Sequence, residues 1–162
     1  MVDVNPHFLY MVDHTYYELI KDLGVLWDDP KWHPTICLRP ILESDNIFWM
    51  IKMTTFKEDS GEINSGDRYL EFIQKPELDI QSCFYHIGRT NRRSVFVISD
   101  ALPVPKEFVN SQYKFWGEVK NKNLLSELNR KFDRILSFEK DNPNFTKTRI
   151  TDTLEYMIKH YS

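Results

Sequence analysis

The 162 residues fit one domain with a sizeable core, and 41 % hydrophobic with 28 % charged residues is ordinary globular composition, not that of a disordered or fibrous chain. Two cysteines, Cys37 and Cys83, cannot build a disulfide framework, and no apolar run nears the roughly 18 residues that cross a membrane. The formal charge of −3 conceals an asymmetry, because residues 1–81 carry 7 Lys/Arg against 15 Asp/Glu and residues 82–162 carry 14 against 9. A basic surface in the second half would hold nucleic acid even on an acidic protein, since attraction fades within about 8–10 Å at physiological salt.

Met1–Pro6 has no basic head followed by an apolar stretch, so no signal peptide is expected, and a reducing cytoplasm suits free, buried thiols. Phe8–Val12 reads as a first strand. Asp13 can cap a helix reaching Leu23, with Tyr16, Leu19 and Ile20 at helical spacing. Asp28–Pro34 is a loop with two prolines, and His33 stands at its end.

Thr35–Leu42 and Ile47–Thr54 predict a hairpin around Glu43-Ser44-Asp45-Asn46. Pro40 lacks a backbone donor, which asks for an edge strand or a bulge. Gly61, Ser65 and Gly66 mark a surface loop, and Tyr69–Lys75 reads as a short helix. Cys83–Ile87 and Ser94–Ser99 predict a second strand pair. A helix over Leu124–Glu139 buries Leu124, Leu128, Phe132 and Ile135, with Asn123 as its cap. A last helix starts at Asp152, with Glu155 completing a capping box and Leu154, Met157, Ile158 and Tyr161 on one face. Strands first and helices later argue for a single α+β domain, 1–162, with an antiparallel sheet and two C-terminal helices.

There is no Walker loop, no Gly-x-Gly-x-x-Gly, no Gly-x-Ser-x-Gly and no His-Glu-x-x-His, and the five histidines are scattered, so no metal or cofactor is expected. Chemistry is sought instead in three clusters. Thr54, Thr55 and Lys57 leave the end of an apolar strand together, offering two hydroxyls and an ammonium to a phosphate. Read from the residues alone the cluster is unspecific, since ordinary strand ends often carry Thr and Lys. His86 precedes Arg89, Asn91, Arg92 and Arg93 around a glycine turn, where arginines can clamp phosphate and stack on bases beside a proton-transferring imidazole. The alternative is a solvated hairpin tip. Arg130, Lys131 and Arg134, with Lys147 and Arg149 further on, would follow an RNA backbone, or simply face water.

The order of these pieces resembles a family. Tyr10, then Tyr16, a loop ending at Pro34, and an apolar hairpin running into Thr54-Thr55-Phe56-Lys57 look like the endoribonuclease toxins of type III toxin–antitoxin systems, the ToxN, AbiQ, CptN and TenpN group. Ile47–Thr55 is most similar to the CptN and TenpN branches, and Ser82-Cys83-Phe84 and Ser94–Val104 keep the order. The resemblance covers roughly residues 8–110, and the C-terminal helices in kind only. It implies a MazF/Kid-like, barrel-type twisted antiparallel sheet flanked by helices. It also implies metal-independent RNA cleavage, by 2′-hydroxyl attack to a 2′,3′-cyclic phosphate. The partners implied are cellular RNA and a repetitive antitoxin RNA, which the toxin cuts into pseudoknotted units that inhibit it in a multi-copy complex. DNA, lacking the 2′-hydroxyl, and membranes are not expected partners. By the same resemblance Thr55 stands where the family has a serine, Lys57 matches its basic residue, and Tyr10, Tyr16 and His33 join the RNA contacts. Thr in place of Ser keeps the hydroxyl but restricts its rotamer. A non-catalytic RNA-binding module is the rival reading.

Overall fold

A computed structural model of the chain describes residues 3–25, 34–56, 65–90, 93–112 and 117–162. In chain order the elements are β1 (Leu9–Val12), α1 (His14–Asp22), β2 (Thr35–Ile41), β3 (Ser44–Thr55) and α2 (Ser65–Ile73), followed by β4 (Tyr85–Arg89), β5 (Arg93–Pro105), β6 (Val109–Gln112), α3 (Lys122–Asp141) and α4 (Ile150–Tyr161). The strands form one sheet in the order β4-β5-β3-β2-β1-β6, with every neighbouring pair antiparallel. The α+β class and the two C-terminal helices agree with expectation. The barrel-type closure does not, because β4 and β6 are the two ends of the order and do not pair with each other. Closure needs a mutual pairing of the end strands. Here β6 is only 4 residues long, and Lys131 of α3 occupies part of the free edge of β4.

Side chains alternate across β5, and this alternation builds two cores. Phe96 and Ile98 join the main cluster with Leu9, Ile36, Ile51 and Met53 of the sheet and Leu128, Phe132 and Ile135 of α3. Val95 and Val97 face the other way, where Phe56 meets Tyr69 and Leu70 of α2 and Tyr85 and Ile87 of β4. Helix α3 therefore lies over one face of the β4–β5 hairpin and α2 over the other.

Local chemistry explains where the boundaries differ from the sequence pattern. Asp13 does cap α1, its Oδ1 accepting the Thr15 amide at 2.9 Å. Helix α3 begins two residues earlier than expected, because the side chain of Asn121, not Asn123, accepts the Leu124 amide at 3.2 Å. Helix α4 begins at Ile150 after Arg149 in a left-handed conformation (φ 49°), and Asp152 sits in its first turn, paired to Arg149 at 2.6 Å. Pro40 lies on an interior strand but between register shifts, and of β2 only Thr35 and Ile36 pair with β1. Strand β5 outruns its expected end at Ser99 because a bulge between Val97 and Leu102 absorbs Asp100. Beyond Val97 β4 no longer pairs with it, which is where Pro103 and Pro105 are tolerated. Cys83 lies in a short 3-10 turn, Ile80–Cys83, rather than in a strand. Both thiols are free and buried, and burial pushes that of Cys37 up to about 12, so it is inert.

Candidate phosphate-binding cleft

The β4–β5 hairpin sets the geometry. His86 is paired with Phe96, Ile87 with Val95, Gly88 with Ser94 and Arg89 with Arg93. His86 and Gly88 consequently point toward α3, and Ile87 toward α2. Gly88 is needed for the approach of α3: a Cβ there would stand 2.5 Å from Leu124 Cδ1 and 3.3 Å from Phe96 Cε2. Two turns further along α3, Lys131 is buried, 5 % exposed, and its Nζ donates to the Tyr85 carbonyl at 2.9 Å.

Around the outer edge of β4 this arrangement leaves a cleft of about 400 Å³. Leu70 and Ile73 of α2 and Ile87 give it an apolar wall; Lys131 comes to it beside His86 on the α3 side, and Arg89 and Arg93 reach it from the α2 side of the hairpin. Burial, then the Lys131 ammonium, lowers the His86 pKa to about 4, so the imidazole is neutral at pH 7. Burial also lowers the pKa of Lys131. The Arg93 guanidinium rests 4.2 Å from the centre of the Phe56 ring, which holds it at the end of the sheet. The group best suited to this mixture is an anion with several oxygens. An anion seated there would raise the His86 pKa and let the neutral imidazole accept a proton.

Of the residues singled out in the sequence, His86, Arg89, Arg93 and Lys131 converge on this cleft. Others do not. Thr54 and Thr55 are successive residues of β3 and face opposite sides: Thr54 is paired with Val95 on the α2 side, while exposed Thr55 is paired with Ser94 on the α3 side. The expectation that both hydroxyls leave the strand together is corrected by this alternation. Thr55 shares a face with His86, but two strand spacings, about 10 Å, separate β3 from β4. Lys57, His33, Asn91 and Arg92 lie outside the described residues.

Tyr10 and Tyr16 are core residues rather than stacking platforms. Tyr10 is 1 % exposed, its hydroxyl accepting the Asn5 amide at 2.8 Å, and Tyr16 is fully buried, donating to the Pro103 carbonyl at 2.8 Å. The late basic run divides as well. Arg130 is paired with Glu127 at 2.7 Å, Lys147 with Asp100 at 3.3 Å, and Arg149 with Asp152. Arg134 is half-buried, with its Nη1 enclosed. Only Lys131 of these five reaches the cleft.

The α2 wall, Leu70 and Ile73, was not foreseen as part of a site. The helix itself is legible in the sequence, but nothing local to it says that it lies along β4. A larger hollow of about 570 Å³ lies between the β2–β3 hairpin and the C-terminal helices, lined by Trp49, Leu136, Leu154 and Ile158. Its lining is chiefly apolar, and none of the sequence-selected residues lines it. Among the described residues no three His, Cys, Asp or Glu side chains gather as metal ligands, and no helix is long and apolar enough to cross a membrane. Compared with known proteins, the chain matches no family model, and no curated protein matches it.

Proposed function

We propose that the chain is a metal-independent endoribonuclease that holds a scissile phosphate at the edge of β4. The observation that carries the reading is one cleft lined by a neutral imidazole with Lys131 beside it and by Arg89 and Arg93 at its other side. Cleavage by a 2′-hydroxyl needs a base for that proton and preplaced positive charge for the pentavalent phosphate. His86 is suited to the first role and the three cations to the second. Thr55, on the same face two strands away, would then hold a neighbouring phosphate or ribose rather than the reacting one; the resemblance adds Lys57 as a further phosphate contact. As the resemblance to type III toxins implies, the natural substrates are cellular RNA and a repeat antitoxin RNA, whose folded units block the site in a multi-copy complex. In this reading the open sheet is a relative of the MazF/Kid type, and the chain works in the cytoplasm as a growth-arresting toxin.

A second reading, a non-catalytic RNA-binding module, is favoured by one observation: the two threonines diverge and neither lines the cleft with His86. Incubating the purified, RNA-free chain with single-stranded RNA in EDTA separates the two. The nuclease reading expects fragments ending in 2′,3′-cyclic phosphate, and a rate about 10²–10⁴-fold lower for His86→Gln. Intact RNA bound equally by both proteins would leave only the binding module. Expression of the native chain without its RNA should arrest growth, with His86→Gln, Thr55→Ala and Lys57→Ala each relieving the arrest.

A further inference from the structure

The outer edge of β4 bears hydrogen-bonding groups of its own. In an antiparallel ladder successive residues turn their N–H and C=O alternately toward one neighbour and the other. The Ser99 amide donates to the Phe84 carbonyl at 3.1 Å, so Phe84 faces β5. The next carbonyl, that of Tyr85, accepts from Lys131 and so faces away from it. Continued along β4, this alternation turns the N–H and C=O of Ile87 and the N–H of Arg89 outward, into the cleft that the same residues line.

Two strangers could use such an edge. An added peptide strand needs several consecutive pairs. Here Lys131 already holds the Tyr85 carbonyl, and α2 and α3 both contribute to the cleft, so little more than the Ile87 pair is left. A nucleobase needs only one adjacent donor and acceptor, with an apolar wall against its ring face. The volume, about 400 Å³, is at the small end for ligand pockets and has room for one nucleotide.

Building on the phosphate reading of this cleft, we propose that it captures a single unpaired nucleotide. The base would hydrogen-bond to the main-chain N–H and C=O of Ile87, with its ring against Ile73 and Leu70 and its phosphate on Arg89, Arg93 and Lys131. Since the recognition is by main chain at one position, the site selects unpaired over paired RNA, whose base edges are already engaged.

The test is binding of uridine 3′-monophosphate, adenosine 3′-monophosphate, ribose 5-phosphate and inorganic phosphate to the full chain, followed by calorimetry and by amide resonances. At least one nucleotide should bind ten-fold or more tightly than ribose 5-phosphate, with the Ile87 and Arg89 amides shifted most. Ile73→Asn, which adds no charge, should lower that advantage at least three-fold, and a parallel loss of inorganic phosphate binding would show that it acts on the cations instead. Ile87→Pro removes the outward N–H without breaking a ladder bond, so it should fold and lose the advantage too. If Ile87→Pro unfolds, Ile73→Asn and the resonances still decide. Equal affinity for nucleotides and ribose 5-phosphate would overturn base capture yet leave the phosphate site standing. Binding of an extended peptide at the Ile87 amide, with none of nucleotides, would replace it by strand addition. No binding of any of the four small probes would remove the phosphate reading as well.

Discussion

His86 is buried with Lys131 and Arg130 near it and Glu127 opposing them, and this has consequences on both sides of pH 6. An imidazole in an unfolded chain takes its proton near 6.5, but in the fold burial and Lys131 delay that to about 4. Between those values the unfolded chain binds the extra proton, so the stability owed to neutral His86 is whole above about pH 6.5 and is lost as the pH falls toward 4. Urea midpoints of the native chain and His86→Gln should therefore converge or cross as the pH drops through that window, with their difference constant above it. A constant difference at every pH would mean that His86 is not held neutral. Lys131 gives the complementary test. Lys131→Met keeps the aliphatic stem and removes the charge. It should raise the His86 pKa, read from imidazole proton shifts, and weaken inorganic phosphate about ten-fold. The melting temperature should move by only a few degrees, because the lost bond to the Tyr85 carbonyl is offset by an ammonium no longer buried.

Among the elements, the packing of α3 on β4 decides whether the cleft exists. Gly88→Ala would place a methyl 2.5 Å from Leu124 Cδ1, at the first turn of α3. Overpacking of this kind costs about 1–3 kcal/mol. The double variant Gly88→Ala/Leu124→Ala should cost less than the two singles added, since removing the isobutyl group makes room for the methyl; chemical denaturation measures this coupling. Strict additivity would place Leu124 away from Gly88. Such contacts also mark how far the sequence could be read. The hairpin of β2 and β3, the cap at Asp13 and the apolar stripe of α3 are legible because each is written in neighbouring residues. Strand β6 escaped notice because Val109-Asn110-Ser111-Gln112 is short and polar, with its place fixed by pairing with β1 about a hundred residues away. The full length of β5 was hidden by Asp100 and two prolines that a bulge and a free side accommodate. At the site, the His86–Arg93 cluster was visible as a charge pattern. That Lys131 joins it while Arg130 turns to Glu127 depends on the rotation of α3 about its axis, set by long-range packing. The threonine pair was misread for a simpler reason: period-two alternation in a strand sends adjacent hydroxyls apart.

For the whole molecule, the question is whether the proposed RNA contact would run over a broad basic face or sit at one place. The second half of the sequence carries 14 Lys/Arg against 9 Asp/Glu, which by itself suggests a broad face. The fold argues otherwise. Arg130, Lys147 and Arg149 each have a carboxylate partner within 4 Å, and surface pairs of this kind largely cancel beyond a Debye length of about 8 Å. Arg89, Arg93 and Lys131 instead line one cleft, a local gathering of cations on a chain of net charge −3. Each phosphate neutralised on single-stranded RNA contributes about −0.7 to the slope of log affinity against log salt concentration. Three such contacts predict a slope near −2 for a short oligonucleotide, falling to about −1.4 in Arg89→Ala, whereas Arg149→Ala should leave it unchanged. Fluorescence anisotropy across a salt series measures all three. A native slope of about −4 or steeper, reduced by Arg149→Ala as much as by Arg89→Ala, would show that the RNA tracks the C-terminal helices and that the edge of β4 is only one stop along its path.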